Sequence, residues 1–404
     1  MKVTLEDIQG RESKHVLQTY RRQPVAFVRG SGPRLWDVDG REYLDFVSGI
    51  GVASLGHAHP GLAAVIAEQA STLLHTSNLY YHPYQAEAAE RLTKLSGLSR
   101  VFFSNSGAEA NEACLKFARR YWYTQGVKDR VGYVAVEGGF AGRTMGALSV
   151  THDEHYRGPF MPLLGPVTFV PPDRPDMLAS AVNEGTAAII AEPIQGEGGI
   201  RPLPLEFTKA ISDVCARTGT LLIADEIQCG LGRTGHPFHS QAIGWQPDLI
   251  SVGKALGSGI PIGAALVSER VAQTISPGDH GSTYGGNLMA TRAAAFVLEQ
   301  LMDHGLIEHV MTVGTYFERR LRTLALKHPL IVEVRGAGVM RGLQLSIDAA
   351  PVVELARNRR LLVNRTDEKV IRLLPPLTIE AADIDRAVDV LDEVFAAIPS
   401  EVPA

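Results

Sequence analysis

Two charged residues stand at the ends of successive apolar runs near the middle of the chain. Leu221–Ala224 is followed directly by Asp225, and Leu249–Val252 is followed one residue later by Lys254. Each run predicts a short strand buried in a parallel sheet, and open α/β sheets bind ligands at the carboxyl ends of their strands. A lysine that can form a Schiff base, beside a carboxylate that can keep a pyridine nitrogen protonated, indicates pyridoxal phosphate chemistry.

A segment suited to a phosphate follows another predicted strand, Val101–Phe103. This segment, Ser104–Glu109, contains a glycine and opens a predicted helix, so that free N–H groups and the helix dipole favour an anion there. The alternative is an ordinary helix start, with Ser106 as the capping residue and Glu109 at the third helical position. Because the segment lies at a strand end in the same chain as the lysine and the carboxylate, we favour phosphate binding.

A glycine-rich loop, Gly138–Thr144, follows the predicted strand Val131–Val136. It carries Phe140, an aromatic ring suited to stacking on a flat cofactor. It also carries Arg143, whose guanidinium suits a bidentate contact with a carboxylate. Taken alone, this stretch is a surface loop with a solvated arginine, whereas a surface turn explains the later stretch Glu192–Gly199 about as well as a ligand site does.

Three other segments carry groups that could bind anions or pair with one another. Glu197 lies among glycines in Glu192–Gly199, after the predicted strand Ala187–Ala191, and these glycines allow a close approach to a ligand. Arg372 lies inside an apolar run, where a charge needs a buried anionic partner. Gly281–Asn287 precedes a predicted helix and offers hydroxyl and amide groups to an anion.

Patterns that could indicate other chemistry lack the context that each requires. Gly230–Gly235 (GLGRTG) matches a dinucleotide-binding motif, but no helix follows it and it does not directly follow a strand. His57 and His59 have the spacing of a ligand pair but no companion ligand near them in the sequence. We therefore predict neither a dinucleotide site nor a metal site, and three buried thiols, Cys114, Cys215 and Cys229.

The composition is that of an ordinary globular chain. Of its 404 residues 45% are hydrophobic and 21% are charged, and this length predicts two or three lobes. The net charge of −5 gives no electrostatic reason to expect nucleic acid as a partner. No apolar run approaches the ~20 residues of a membrane helix. The N-terminus has no signal core, so we expect a cytoplasmic protein that does not bind membranes.

Strands alternate with helices from Pro60 onward, which predicts an α/β fold with a mostly parallel central sheet covered by helices. Its helices would include Pro60–Leu74 and Gln85–Leu95, and its strands would be Val101–Phe103, Val131–Val136, Ala187–Ala191, Leu221–Ala224, Leu249–Val252 and Ile262–Val267. We assign residues 60–290 to this large domain.

The two ends of the chain are predicted to form a smaller α+β domain. Residues 1–59 would contribute a helical segment ending near Pro24 and an antiparallel meander over Val25–Val47. Residues 291–404 would contribute the rest. The elements predicted toward the C-terminus are helices Asn287–Met302, Ile307–Leu326 and Ala381–Ala397 and strands Ile331–Gly338 and Val370–Leu374.

Taken together, the motifs resemble those of the class III (subgroup II) pyridoxal-phosphate-dependent aminotransferases of fold type I. The resemblance covers essentially the whole chain and rests on NSGAEANE, GGFAGRT, EPIQGEGG, DEIQCGLGRTG, GKALGSGIPIGA and GSTYGGN, in the family's order. Within the family the chain is most similar to the acetylornithine aminotransferases. That similarity implies transfer of the δ-amino group of N2-acetyl-L-ornithine to 2-oxoglutarate in arginine biosynthesis, giving N-acetyl-L-glutamate 5-semialdehyde and L-glutamate.

The resemblance also assigns a cofactor site. Lys254 would form the Schiff base and shuttle the proton, and Asp225 would pair with the pyridine nitrogen. Thr283 would reach the phosphate in the neighbouring subunit, which implies a homodimer with shared active sites. The other contacts to pyridoxal 5′-phosphate would come from Gln228 at the ring hydroxyl, Phe140 on the ring face, and Ser106, Gly107 and Ala108 at the phosphate.

The family's substrate positions match as well. Arg372 would bind the α-carboxylate of 2-oxoglutarate or glutamate, and Glu197 would cover Arg372 while the acetylated donor is bound. Arg143 would bind the other carboxylate, and Ser282 falls at a further substrate-binding position. The resemblance implies no metal.

Two positions depart from residues that are common in relatives, and other activities stay open. Ala141 stands where many relatives have His, and small residues there also occur in the lysine-pathway enzyme that acts on carrier-protein-bound aminoadipate semialdehyde. Ile50 stands where ornithine δ-aminotransferases place a Tyr, which argues against free ornithine. The alternatives are the aminotransferase of the lysine pathway just mentioned, or a transaminase for another ω-amino acid. An aminomutase and a non-catalytic binder are less favoured, because Arg372, Glu197 and Lys254 are all present.

Overall fold

The structure, a computed structural model, describes residues 3–398. The predictions made for residues 1–2 and 399–404 lie outside the described residues. The helices and helical turns are α1 (Leu5–His15), α2 (Ser48–Gly51), α3 (Pro60–Thr72), α4 (Pro83–Ser96), α5 (Gly107–Thr124), α6 (Met145–Ser149), α7 (Glu154–Arg157), α8 (Pro175–Ala181), α9 (Leu205–Thr218), α10 (His239–Ala242), α11 (Glu269–Ala272), α12 (Leu288–Asp303), α13 (Leu306–Lys327), α14 (Ala350–Asn358) and α15 (Ala381–Ala396).

The strands form three larger sheets and one two-stranded ribbon. They are β1 (Phe27–Ser31), β2 (Arg34–Asp37), β3 (Glu42–Asp45), β4 (Arg100–Ser104), β5 (Gly132–Val136), β6 (Val167–Val170), β7 (Thr186–Ala191), β8 (Ile194–Gln195), β9 (Arg201–Pro202), β10 (Leu221–Asp225), β11 (Leu249–Val252), β12 (Gly263–Val267), β13 (Ile331–Ala337), β14 (Met340–Leu345), β15 (Leu361–Leu362), β16 (Asn364–Asp367) and β17 (Val370–Leu373).

The largest sheet has seven strands in the order β4-β12-β11-β10-β7-β5-β6. Five of them, from β11 to β6, run parallel, which confirms the predicted mostly parallel α/β sheet. Alternate residues of β10 enter different cores, because successive side chains of a strand point to opposite faces. Leu221 and Ile223 pack with residues of α5, whereas Leu222 and Ala224 share the core that contains Phe207 of α9. The sheet is therefore covered by helices on both faces.

One strand of this sheet departs from the parallel arrangement. β12 runs antiparallel to both of its neighbours, β11 and β4. A parallel neighbour requires a crossover connection of a dozen or more residues. The link from β11 to β12 contains only a 3-10 turn, Lys254–Leu256, so the chain returns beside the strand that it has just left. This short return carries Lys254.

The N- and C-terminal segments meet in a second sheet. The predicted meander is confirmed as β1-β2-β3, and β15 from the C-terminal part adds to β3 in parallel. A third, antiparallel sheet has the order β13-β14-β17-β16. In it Arg372 of β17 lies opposite Gly342 on one side and Asn364 on the other. The boundaries drawn at residues 59 and 290 stay predictions.

Several local predictions differ from the structure. The N-terminal helix covers only Leu5–His15, and the following residues up to Ala26 form no helix or strand, so the helical segment predicted to end near Pro24 is too long. The strands β6, β8, β9, β14, β15 and β16 and the helix α14 were not predicted. β14 carries Arg341 and Gln344 within its six residues, so its sequence lacks the apolar run that identifies a buried strand. Among the described residues, no helix combines the length and apolarity that crossing a membrane requires.

Candidate active site

Asp225 and Lys254 leave adjacent parallel strands at the same edge of the central sheet. Asp225 is the last residue of β10 and pairs with Ser251 of β11, three residues before Lys254. Lys254 begins the 3-10 turn after β11 with a φ of 36°, in the left-handed region. A residue other than glycine persists there only when its surroundings fix its conformation, which is frequent at functional sites.

The carboxylate of Asp225 is buried and accepts two hydrogen bonds. Asn111 of α5 donates to Oδ2 at 2.7 Å, and the backbone N–H of Ile227 donates to Oδ1 at 3.1 Å. Asn111 also donates to the carbonyl of Ala141 at 2.8 Å, which fixes its amide. Burial raises the pKa of Asp225, while these donors and the nearby Lys254 act in the opposite direction. A buried carboxylate of this kind favours a cationic partner in the site.

The amine of Lys254 lies among charges of both signs. Burial lowers its pKa, and the Arg372 guanidinium acts in the same direction. The carboxylates of Glu197, Glu192 and Asp225 oppose that shift. The net result is a pKa below the ordinary value for lysine, which increases the fraction of neutral, nucleophilic amine.

The predicted phosphate segment forms the start of α5. Ser106 is the capping residue and accepts the N–H of Glu109 at 3.2 Å, while the Glu109 carboxylate accepts the N–H of Asn105 at 2.6 Å. The helix-capping alternative is therefore correct for Ser106. It does not exclude an anion, because the N–H groups of Gly107 and Ala108 in the first turn have no acceptor inside the helix.

Close backbone contacts join this helix start to the lysine and to the loop after β5. A Cβ placed on Gly253 would lie 3.2 Å from the N and Cα atoms of Gly107, so glycine at 253 permits the segment of Lys254 to pass the helix start. A Cβ on Gly142 would lie only 2.7 Å from that of Ala108. The three strand ends thus converge on one small region.

Phe140 lies in the loop after β5, and its backbone is fixed by a carboxylate from the next strand end. The N–H of Phe140 donates to Glu192 Oε1 at 2.9 Å, and the N–H of Ala141 donates to Thr151 at 2.9 Å. A narrow cavity beside the ring is lined by residues that include Phe140, Ala141, Glu192 and Asp225. The ring that was predicted to stack on a cofactor therefore borders the same cavity as the buried carboxylate.

Glu197, Arg372 and Gln228 form one hydrogen-bonded group. Arg372, only 1% exposed, donates to Glu197 Oε1 at 2.5 Å and to Gln228 Oε1 at 3.3 Å. Gln228 also donates to Glu197 at 3.4 Å. Burial alone would raise the pKa of Glu197, but the Arg372 guanidinium offsets this and holds it below the usual range. The partner predicted for the buried arginine is thus present, and Gln228 contacts that pair.

The other predicted site residues lie nearer the surface. Arg143 is exposed, and its guanidinium stacks 3.6 Å from the ring centroid of Tyr156. Ser282 is half-buried and accepts an N–H from Asn105, the residue before the helix cap, at 3.2 Å. Thr283 is exposed. The structure therefore brings Ser282 close to the start of α5, and leaves Arg143 and Thr283 accessible.

A cleft of about 810 Å³ gives access to this region. Its wall includes Phe140, Tyr156, Glu197 and Arg201, so the aromatic residue and the glutamate of the ion pair face the same space. A volume of this size suits a cofactor or an amino-acid-sized ligand. The cleft connects the charged pair at Arg372 with the outside.

Two residues of the site had no predicted role. Asn111 and Glu192 lie inside the motifs NSGAEANE and EPIQGEGG, but their partners are a distant carboxylate and backbone N–H groups. In the sequence, each of these two residues could have been recognised only as a polar residue beside apolar residues that are buried. Asn111 stands between Ala110 and Ala113 on the buried face of α5, and Glu192 directly follows β7.

The motifs that were set aside have structural roles. Residues 226–238, which contain GLGRTG, form turns with no helix after the strand, and Arg233 within them is buried and donates to the carbonyl of Pro375. His57 Nε2 lies 2.8 Å from Asp45 Oδ2, and His59 caps α3. Among residues 3–398 no cluster of His, Cys, Asp or Glu could hold a metal ion. All three cysteines are free; Cys114 and Cys229 are buried as predicted, but the prediction is wrong for Cys215, which is only partly buried.

The structure places a lysine and a buried carboxylate at adjacent strand ends of an α/β sheet, an arrangement that indicates Schiff-base chemistry on an amine. The family model "Aminotransferase class-III" matches residues 17–395, and the chain belongs to that family. It is accordingly a transaminase. The chain is also similar over nearly its full length to named members of the family.

Three relatives illustrate this similarity. The acetylornithine aminotransferase of Archaeoglobus fulgidus is 46% identical over 381 residues, which cover 94% of this chain and 98% of the relative. The solved ornithine aminotransferase of Toxoplasma gondii, described with partial occupancy of PLP at its active site, has a TM-score of 0.93 and 32% identity, covering 98% and 95% of the two chains. The acetylornithine aminotransferase of Elizabethkingia anophelis has a TM-score of 0.87 and 32% identity, covering 98% and 99%.

Proposed function

We propose that the protein is a pyridoxal 5′-phosphate-dependent aminotransferase acting on N2-acetyl-L-ornithine and 2-oxoglutarate. It moves the δ-amino group to the oxo acid and produces N-acetyl-L-glutamate 5-semialdehyde and L-glutamate. The observation that carries the proposal is the ion pair between Glu197 and the buried Arg372, beside Lys254. The acetylornithine aminotransferase of Archaeoglobus fulgidus, 46% identical, supports the same substrate.

The residues present fit pyridoxal phosphate. The buried Asp225 carboxylate suits a protonated pyridine nitrogen, and the cavity that it shares with Phe140 suits a flat ring. The free N–H groups at the start of α5, from Gly107 and Ala108, and the exposed hydroxyl of Ser106 suit the phosphate. Gln228 is assigned to the ring hydroxyl.

Lys254 has two tasks in this proposal. Pyridoxal phosphate, when bound, supplies an electron-withdrawing ring that stabilises negative charge on the carbon bonded to the substrate nitrogen. Lys254 would hold the cofactor covalently through Nζ, and its lowered pKa favours the neutral amine needed for this bond. As a free amine, the same Nζ would take the proton from the amine-bearing carbon of the substrate. Asn111 keeps Asp225 oriented throughout.

The ion pair allows one pocket to accept two different substrates. Glutamate and 2-oxoglutarate bring an α-carboxylate next to the reacting carbon, and Arg372 binds it once Glu197 has moved away. The reacting end of acetylornithine has no carboxylate, so Glu197 stays on Arg372 and neutralises it. Arg143, at the outer part of the site, binds the remaining carboxylate of either substrate, and Ser282 contributes a hydroxyl.

We also propose a homodimer in which Thr283 reaches the phosphate in the neighbouring subunit. Asn78 donates hydrogen bonds to the carbonyls of Ser282 and Gly285, on either side of the exposed Thr283. The next residue, Leu79, is 85% exposed, and contact with a second copy of the chain would remove this apolar side chain from water. The cytoplasm is the location proposed for this dimer, without contact to nucleic acid or membranes.

The experiment that tests the function is a comparison of amine donors with 2-oxoglutarate as acceptor. We expect the highest kcat/KM for N2-acetyl-L-ornithine, above L-ornithine, 4-aminobutyrate and a carrier-bound lysine-pathway amine. A higher kcat/KM for one of the other donors would overturn the substrate. Turnover without an added oxo acid would indicate an aminomutase instead.

A further inference from the structure

Two loops of the site are tied together by a side chain that the proposed reaction leaves without a task. We call Gly138–Thr144 the ring loop and Glu192–Gly199 the gate loop. Glu192 accepts the N–H of Phe140, in the ring loop, on Oε1 at 2.9 Å. It accepts the N–H of Gly196, in the gate loop, on Oε2 at 2.9 Å. Glu192 is 8% exposed, so both bonds are shielded from water.

A second contact supports the same link. Gln195 of the gate loop donates to the carbonyl of Glu137, directly before the ring loop, at 2.7 Å. The two backbones also touch, because a Cβ on Gly198 would lie 2.5 Å from the carbonyl oxygen of Gly138. Only glycine permits this approach. The ring loop and the gate loop therefore form one packed unit.

This unit ends at the ion pair that selects the substrate. Gly196, which Glu192 holds, directly precedes Glu197, the partner of Arg372. On the other side Thr366 donates to the carbonyls of Gly196 and Glu197 at 2.9 and 2.7 Å. The backbone at Glu197 is thus held from two sides, by Thr366 and by Glu192. Of these two residues, Glu192 is the one that also binds the backbone of Phe140.

We propose that Glu192 is a positioning residue that couples the ring loop to the gate loop, so that the closure of Glu197 on Arg372 depends on the seating of Phe140. The proposal rests on the function proposed above and deepens it. Glu192 lies close to Asp225 and Lys254, but both of its oxygens accept backbone N–H groups. It therefore has the geometry of a fixed double acceptor and not of a free base.

The first test measures the coupling without any substrate. Glu192→Gln keeps the shape but offers one acceptor oxygen and turns an NH2 group toward the other backbone N–H. In the full-length protein we expect amide hydrogen exchange to rise by about fivefold or more in peptides containing Phe140 and in peptides containing Gly196. The control is Glu184→Gln, at an exposed position two residues before β7. Unchanged exchange in either loop would overturn the coupling.

The second test separates positioning from catalysis. In the loaded enzyme, Glu192→Gln should lower the ratio of kcat/KM for acetylornithine to that for glutamate by about tenfold. In a Glu197→Gln background the same change should leave that ratio unaltered, because the gate charge is already absent. A ratio that falls equally in both backgrounds, or an equal loss with both donors, would overturn the proposal.

The outcomes also distinguish this inference from the proposed function. If the wild-type protein does not turn over acetylornithine, the function fails while the exchange test still decides the coupling. If Glu192→Gln does not fold, Gln195→Met removes the second tie with a side chain of similar length. We then expect the same faster exchange in both loops, and exchange equal to wild type would contradict the coupling.

Discussion

The guanidinium of Arg372 and the carboxylate of Glu197 meet at 2.5 Å, although they come from a C-terminal strand and from the loop after β7. The side chain of Arg372 is 1% exposed, whereas the side chain of Glu197 is 33% exposed. Breaking a buried pair leaves a costly uncompensated charge, so the arginine needs a replacement anion whenever the glutamate leaves. Glu197 lines the cleft and is the more exposed partner, so it is the one that we propose moves.

Removing the charge of Glu197 should change the preference between donors. In Glu197→Gln the arginine is no longer neutralised, so glutamate binds without displacing a carboxylate. We expect kcat/KM to rise for the glutamate half-reaction and to fall for the acetylornithine half-reaction. The ratio of the two values should change by on the order of tenfold or more. Stopped-flow absorbance of the bound cofactor measures each half-reaction. An unaltered ratio would remove the gating role.

Removing Asp225 should affect the chemical step far more than folding. Asp225→Ala deletes the carboxylate that we propose to face the pyridine nitrogen. We expect kcat to fall on the order of a thousandfold or more, with cofactor still bound weakly. Asp213→Ala, on the exposed side of α9, is the matched control and should keep the wild-type rate. A rate near wild type in Asp225→Ala would refute its assignment.

Asn111 should act through Asp225. Asn111→Leu removes the 2.7 Å hydrogen bond that favours the ionised carboxylate. Because that bond lowers the pKa of Asp225, its loss should raise this pKa and move the acid limb of the kcat profile to higher pH. The maximal rate should fall by about ten- to a hundredfold. A lower rate with an unshifted pH profile would show a purely structural role.

The buried Glu192 should make stability depend on pH in the cofactor-free protein. Burial and the neighbouring Asp225 carboxylate raise the pKa of Glu192 to about 8 from an ordinary 4.5, and the N–H groups of Gly196 and Phe140, and then Lys254, act in the opposite direction. Between these values the folded protein binds a proton that the unfolded chain lacks, so the free energy of unfolding falls as pH rises through this window. Melting temperatures from pH 5 to 8 measure the slope.

The matched variants make this prediction specific. Glu192→Gln cannot titrate, so its melting temperature should fall less steeply over the same pH range than that of the wild type. Glu184→Gln, with its exposed side chain, should retain the wild-type slope. Equal slopes in all three proteins would contradict the assignment of the raised pKa.

The residues that follow strands directly were the most predictable part of the site. Asp225 and Lys254 could be located because short apolar runs identify buried parallel strands, and the ends of such strands share one edge. Arg372 was recognisable as a buried charge that needs a partner. The family resemblance, and not the spacing, supplied Glu197 as that partner, because the two residues are far apart in the chain.

What could not be predicted depends on contacts between distant backbone segments. Glu192 binds two backbone N–H groups, and backbone donors carry no signature in the sequence. Asn111 resembles any polar helix residue until β10 is placed beside α5. The antiparallel direction of β12 follows from a short link that resembles the other loops, and β14 is masked by its polar residues.

Single-turnover mixing of the cofactor-loaded enzyme with individual amines tests the proposed substrate and the role of Lys254 most directly. We predict that N2-acetyl-L-ornithine converts the bound cofactor faster, at equal low concentration, than L-ornithine or 4-aminobutyrate, and that 2-oxoglutarate restores it. In Lys254→Ala the conversion should be lost. Faster conversion by one of the other amines would contradict the proposed substrate, and conversion that persists without Lys254 would contradict the proposed role of this lysine.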